Sequence, residues 1–282
     1  VHNLADSDEG AFGLVRNYLG YFPSSAWEPA PVDVRSRDRG ERPLDEILDI
    51  IPEALHRPYD IRRVIELIAD DRRMLEIQPL FGASIVTAYV RIGGRAVAVV
   101  ANQPCVRAGA IDRPAADKAA HFLDVANAYD LPVVFLTDNP GIMSGRAAER
   151  DGTLRAAARM YAAQSRLRSP KLHVTLRKAF GFGSSIMAMN PFDSQTLSLA
   201  LPTVSLGALP AASGSEAAKL ADDQKAGLER QQGGAWEPAD SMAFDEVIDP
   251  RELRDALLAG LAFSRARLSQ STQPALSSGI RP

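Results

Sequence analysis

The period of the apolar positions changes along this chain, and the changes outline its elements. In residues 1–22 Phe12, Val15, Leu19 and Phe22 keep helical spacing behind an acidic cap, Asp6-Ser7-Asp8-Glu9. Residues 23–45 are rich in proline and charge, which predicts an extended connector pinned by Trp27. Helical signals resume at 44–51 and again at 59–68, where Ile61, Val64, Ile65 and Ile68 share one face. After Asp70-Asp71 the period becomes that of strands, at 74–77, 84–92 and 95–101. Gly93-Gly94 between the last two predicts a tight hairpin, and Pro104 ends the strand before it.

From there strands and helices alternate. Residues 115–128 read as a helix and 132–137 as a buried strand. An alanine-rich helix follows at 152–168, then a strand at 172–176 and a helix at 184–189. Short strands are expected near 196–200 and 204–206, and an exposed helix and loop over 213–236. An amphipathic helix is expected at 250–268, with a frayed tail at 269–282. Buried strands alternating with helices predict an α/β fold with a mainly parallel core.

Two stretches carry candidate chemistry. The first is LHVTLRKAFGFGSSIMAMN, residues 172–190, in which a strand, a glycine turn and a helix start follow one another. Glycine lets a ligand approach the backbone closely, and serine is a favourable helix cap. The first N–H groups of a helix lack intrahelical partners and face the positive end of its dipole. Such a corner suits an oxyanion or phosphate, although an αβ connection with nothing bound has the same pattern. The second stretch, Asp138-Asn139-Pro140-Gly141-Ile142-Met143-Ser144-Gly145, leaves a buried strand through a Pro-Gly turn. Ligand crevices of parallel sheets lie at the carboxyl ends of strands, so the two loops are expected to share one. Neither loop offers an evident general base, so chemistry there has to rest on backbone donors.

Composition narrows the field. The 282 residues are 46% hydrophobic and 24% charged, with formal net charge −3, the balance of a globular protein with no call for nucleic acid or an anionic membrane as partner. Cys105, the one cysteine, rules out an internal disulfide and suits a reducing, cytoplasmic setting; it reads as a bystander thiol. His2, His56, His121 and His173 show no metal spacing. No apolar run reaches the roughly 20 residues of a membrane span, and no secretory signal or nucleotide, hydrolase or zinc motif occurs. The opening at Val1 suggests a piece of a longer protein.

The phrases ANQP, AADKAAHFLDVANAYDLPVVFLTDNPG, SPKLHVTLRKAFGFGSSIM and FDEVIDPRELRDALL, in unbroken order over residues 1–268, resemble the carboxyltransferase (β) subunits of biotin-dependent acyl-CoA carboxylases, the propionyl-CoA and acetyl-CoA carboxylase type. The resemblance implies a crotonase/ClpP-like α/β fold, a spiral of ββα units. The family's subunit has two such domains in tandem. Residues 46–268 are similar to the C-terminal, biotin-binding one, with 1–45 as the terminal helix of the N-terminal half plus a linker, and 269–282 as a flexible tail.

The activity implied is transfer of CO2 from carboxybiotin, carried on a separate protein, to the α-carbon of an acyl-CoA. Two consecutive backbone N–H groups hold the biotin ureido oxygen. The family motif resembles RKAYGGAYDVM and places those donors on Phe182 and Gly183. Gly181, Ser184, Ser185, Pro140, Gly141, Ile142 and Gly145 would line the pocket, with no metal. Phe182 stands where the family has glycine, Ser184 where tyrosine is usual, and Ser185 at the position that tunes acyl choice. In the loop resembling PGFxPG, Ile142 and Ser144 are substituted. Implied partners are the N-terminal carboxyltransferase domain, a biotin carboxylase/biotin carrier subunit and acyl-CoA, in a hexamer-type oligomer in the cytoplasm. Two other readings stay open: a biotin-independent acyl-CoA or acyl-carrier decarboxylase of the same fold, and a non-catalytic assembly subunit.

Overall fold

The computed structural model describes residues 2–190, 195–211, 216, 219 and 221–264. The described strands are β1 (Met74–Ile77), β2 (Ile85–Ile92), β3 (Arg95–Asn102), β4 (Val133–Asn139), β5 (Lys171–Phe180), β6 (Leu197–Ala200), β7 (Ser205–Gly207) and β8 (Glu246–Val247). The helices are α1 (Asp8–Leu19), α2 (Ile47–Ile50), α3 (Ile61–Ile68), α4 (Arg113–Ala128), α5 (Arg146–Asp151), α6 (Thr153–Ser165), α7 (Gly181–Ile186), α8 (Asp222–Gln232), α9 (Trp236–Asp240) and α10 (Leu253–Phe263). The strands form one sheet in the order β1-β2-β3-β4-β5-β6-β8, with β7 beside the end of β5. β1, β2 and β3 pair antiparallel; from β3 to β8 the pairing is parallel, as the alternation of strands and helices predicts.

Alternate residues of each central strand enter opposite cores. Val97, Val99 and Ala101 of β3 pack with α3 and α10, whereas Ala96, Ala98 and Val100 pack with α4 and α6. A strand buried on both faces reads as a continuous apolar run, which is why the pattern was legible. The alanines of α4 and α6, Ala115, Ala116, Ala119, Ala156, Ala157 and Ala163 among them, are buried where these helices cover the sheet.

The Gly93-Gly94 hairpin forms as predicted, with Ile92 paired to Arg95 and φ of 64° and 80° at the glycines. The Asp70 carboxylate accepts both glycine N–H groups, at 3.0 and 2.6 Å, and meets Arg254 Nη2 of α10 at 2.7 Å. One buried ion pair thus joins the hairpin, the end of α3 and α10.

The connector 23–45 is extended, but Trp27 does not pin it: the residue is 70% exposed. Backbone groups do so instead, since a proline-rich strand must place its polar groups outside any helix. Asp33 N–H donates to Gly94 O at 2.8 Å, Arg91 Nη1 to Pro31 O at 3.0 Å, and Leu44 N–H to Arg251 O at 2.9 Å. α1 is capped as expected, Ser7 Oγ accepting Gly10 N–H at 3.1 Å.

Several boundaries differ from the pattern, three of them from β5 onwards. β5 runs to Phe180 rather than stopping at Leu176, because Arg177 and Lys178 find buried partners. α7 starts at Gly181, and Ser184 is not its cap; its hydroxyl donates back to Gly181 O at 2.7 Å. The segment from 250 opens with a 3-10 turn, Pro250–Glu252, before α10. The expected tail 269–282 lies outside the described residues, as do 265–268 and most of 212–220.

Candidate active site

The site is built where β4 and β5 end. Thr137 pairs with Thr175 and Asn139 with Ala179, so three residues of β5, Leu176, Arg177 and Lys178, face the single Asp138. Successive side chains of a regular strand point to opposite faces; this bulge lets two neighbouring cations reach one carboxylate. Arg177 Nε donates to Asp138 Oδ2 at 2.7 Å, and Lys178 Nζ lies 3.5 Å from Oδ1, all three side chains being buried or nearly so.

Beyond the bulge the two predicted loops come together. Asn139 Oδ1 accepts Gly141 N–H at 2.9 Å, folding the Asn-Pro-Gly turn, while Asn139 Nδ2 donates to Asn102 Oδ1 at 3.1 Å. Asn102 Oδ1 also accepts Asp138 N–H at 3.1 Å, so the end of β3 fixes the end of β4. Gly183 of α7 sits directly on this turn: a Cβ there would run into Asn139 Oδ1 and come within 2.7 Å of Gly141 Cα. Gly181, at φ 55°, makes the corner between β5 and α7, where a Cβ would meet Ala208 O at 2.8 Å.

Gly181, Phe182 and Gly183 form the first turn of α7, so their N–H groups have no partner inside it. Among the described residues, no side chain caps them. The Phe182 ring is half-buried and turned to Tyr161 of α6, centroids 5.7 Å apart. The bulk that replaces a glycine therefore packs against the neighbouring helix. Met187 N–H and O close the far end of α7: the N–H donates to Ser184 O, and the carbonyl accepts from His173 Nδ1 at 2.9 Å. Thr175 Oγ1 lies 2.8 Å from Nε2, which gives His173 the Nδ1–H tautomer with Thr175 as donor to Nε2. Burial pushes its pKa down to about 4, so the ring is neutral near pH 7. Gln164 Nε2 reaches Ser185 O at 3.4 Å. α7 is thus tied at its carbonyl end and open at its amide end.

The other predicted residues are placed as follows. Ile142 pairs with Ile111 in a parallel bridge, and Ile111 N–H donates to Gly141 O at 3.1 Å, so 140–142 is held from both sides. Ser184 and Ser185 are half-buried in α7. Gly145 is not brought to the turn; it opens α5, exposed, with no atom within 4 Å of where a Cβ would stand. Cys105 is exposed, and its thiol is pushed up, first by partial burial and then by Asp60, which disfavours the thiolate a nucleophile needs. Among the described residues no cluster of three metal-ligating side chains occurs, and no helix is long and apolar enough to cross a membrane.

The pattern assigned no role to Tyr59, Asn102, Asp138, Arg177 or His173, although Asp138, Arg177 and His173 lie within the two candidate stretches. The signal available was two consecutive cations at the end of an apolar strand, beside an aspartate ending another. Arg177 is enclosed on all sides. Its Nη1 donates to Pro52 O, Ala54 O and Arg57 O at 3.0–3.1 Å, and its Cζ lies 4.7 Å from the Tyr59 ring centroid. Burial, then the Asp138 charge, pushes the Tyr59 hydroxyl well above its ordinary range.

First-turn amides without a side-chain cap, against a turn that admits no side chain, can in principle donate to an anion. The carboxyl transferase domain family matches residues 1–274. This chain belongs to that family. It is 36% identical over 268 residues to the uncharacterized carboxylase YngE of Bacillus subtilis, covering 90% of this chain and 52% of that protein. Over 268 residues it is 31% identical to the biotin-dependent long chain acyl-coenzyme A carboxylase beta4 subunit of Mycobacterium tuberculosis, covering 90% and 51%. The crystal structure of transcarboxylase 12S, a hexamer assembly with hydrolysed methylmalonyl-coenzyme A bound, superposes with TM-score 0.89 at 30% identity, over 99% of this chain and 54% of that one. The fold of this carboxyl transferase domain is crotonase-like, as the resemblance implied. The chain spans about half the length of the relatives it matches.

Proposed function

We propose that this carboxyl transferase domain is the biotin-binding half of an acyl-CoA carboxylase carboxyltransferase, with Phe182 and Gly183 N–H as its oxyanion donors. The open first turn of α7 against Asn139–Gly141 supports the reading most directly. A ureido oxygen accepts from N–H donors, so these amides fit biotin, and the aromatic pair Phe182–Tyr161 offers an apolar flank for its ring system. When bound, biotin supplies the carboxyl group to be transferred and a ring nitrogen able to take a proton.

The chain's own part is to hold. The two amides steady negative charge on an oxygen as it grows, at no reorganisation cost because α7 is already fixed by His173 and Gln164. Gly141 and Gly183 exclude side chains from the floor of the crevice. In this reading residues 46–268 are the carboxyltransferase half, 1–45 its connection to an N-terminal carboxyltransferase domain, and the partners are that domain, acyl-CoA and a biotin carrier subunit in an oligomer. Pro140, Ile142, Ser184 and Ser185 shape the pocket, Ser185 leaving room beside the acyl chain.

The test separates the Phe182 amide from its ring. Phe182→Pro removes the N–H in the first turn of α7, where no intrahelical hydrogen bond is lost, and Phe182→Ala removes the ring alone. With the N-terminal half, a biotinylated carrier and acyl-CoA supplied, Phe182→Pro should lower carboxyl transfer on the order of 100-fold below Phe182→Ala. Equal activities would overturn the role of the amide. Transfer untouched by avidin would replace this reading by the biotin-independent decarboxylase, and wild-type transfer without the N-terminal half would refute the dependence on it.

A further inference from the structure

Three buried polar atoms lie in one cluster with no well-formed hydrogen bond among the described residues: Tyr59 Oη, Arg177 Nη2 and Asp138 Oδ1, the last with only the Lys178 ammonium at 3.5 Å. They belong to a single cluster, since Arg177 stacks on Tyr59 and pairs with Asp138. Arg177 is about 1% exposed and Asp138 not at all. A buried ion pair with unsatisfied atoms is a poor device for stability alone, because apolar residues of similar volume often do as well or better. Its geometry fits a different use.

Arg177 ties three segments together. Nε holds Asp138, the residue before the Asn139–Gly141 turn. Nη1 gathers the carbonyls of Pro52, Ala54 and Arg57, turning the strap 52–57 carbonyl-inward while Glu53, Leu55, His56 and Arg57 stay exposed. Its own backbone lies in the bulge from which β5 continues to Phe180, next to the start of α7. Lys178 repeats the pattern more loosely, with Nζ 3.4 Å from both Leu55 O and Ala108 O. A planar guanidinium presents donors in fixed directions, which an ammonium does not.

We propose that Arg177 is a positioning residue. Through Asp138 and the strap it sets the separation between the Asn139–Gly141 turn and the Phe182 and Gly183 amides, and so the width of the anion hole. Its kinetic consequence rests on the carboxyl-transfer reading; its structural one does not.

Arg177→Lys keeps the charge and loses the fork; Asp138→Asn keeps the shape and loses the charge. Each is followed by thermal unfolding, by regional amide exchange and by carboxyl transfer in the assembled enzyme. Arg177→Lys should melt cooperatively, with exchange about tenfold faster in 52–59 and 181–187 and unchanged in β1–β3. Its kcat should fall about tenfold or more while KM for acyl-CoA moves less than about threefold, the mark of lost alignment rather than lost binding. Should Arg177→Lys fail to fold, Asp138→Asn carries the same comparison. Exchange that rises equally across the sheet, or not at all, overturns the proposal, as does a kcat equal to wild type. If the wild-type protein shows no carboxyl transfer, the functional reading falls, while the exchange data still decide the role of Arg177.

Discussion

Gly183 and Asn139 meet with no room for a β-carbon between them. A Cβ on Gly183 would strike Asn139 Oδ1 and stand 2.7 and 2.9 Å from Gly141 Cα and C, so part of what it meets is backbone that cannot swing aside. Gly183→Ala should therefore destabilise by about 1–3 kcal/mol, the range for overpacking a close contact. Urea unfolding measures it. A midpoint equal to wild type would mean that the turn yields and that the crevice floor is soft.

The acid limb of the stability profile should belong in part to His173. Its pKa is depressed from 6.5 to about 4 by burial, so between these values the unfolded chain binds a proton that the folded chain does not. Stability then rises with pH across that window and is lost as pH falls from about 6.5 towards 4, by on the order of 3 kcal/mol in all. His173→Gln should flatten that part of the curve relative to wild type. An unchanged slope would assign the loss to other groups.

Arg254 should be costly to remove. It is fully buried, pairs with Asp70 and donates to the carbonyls of Asp38, Gly40 and Ile68. Arg254→Met leaves the Asp70 carboxylate buried with only the two hairpin amides, an uncompensated charge worth about 3–5 kcal/mol. Chemical denaturation is the measurement, and a loss below about 1 kcal/mol would show that water reaches Asp70.

Phe182→Ala tests where the ring belongs. The side chain leans on Tyr161 and joins the core under α4 and α6 while half-exposed, so its loss should cost about 1–2 kcal/mol of stability. Thermal unfolding followed by calorimetry would reveal it. A neutral or stabilising effect would mean that the ring stands in the crevice instead of against α6.

Much of this architecture was legible because its strands are buried on both faces and its glycines mark turns. The 74–101 meander, the Gly93-Gly94 hairpin, α4 and the parallel alternation follow from those patterns alone. Much of what escaped was set by partners distant in sequence. Arg177-Lys178 reads as a strand end until Asp138 is placed opposite, and Ser184 reads as a cap until Gly181 is seen to start the helix. Trp27 reads as an anchor, yet backbone carbonyls do that work. In the site, the meeting of the 139–141 and 181–183 loops was expected from topology. The ties of His173 and Asn102 were not, since a lone histidine or asparagine in a strand gives no sign of what it will hold.

The three-against-one bulge in β5 also bears on how this protein tolerates change in length. Surface connections elsewhere can absorb an added or deleted residue at small entropic cost. Within Leu176–Lys178 a single deletion would slide the remainder of the strand by one position and exchange its faces. The next pair of amides in line would then be presented in place of those of Phe182 and Gly183. The frame in which the corner is read is counted out by those three residues.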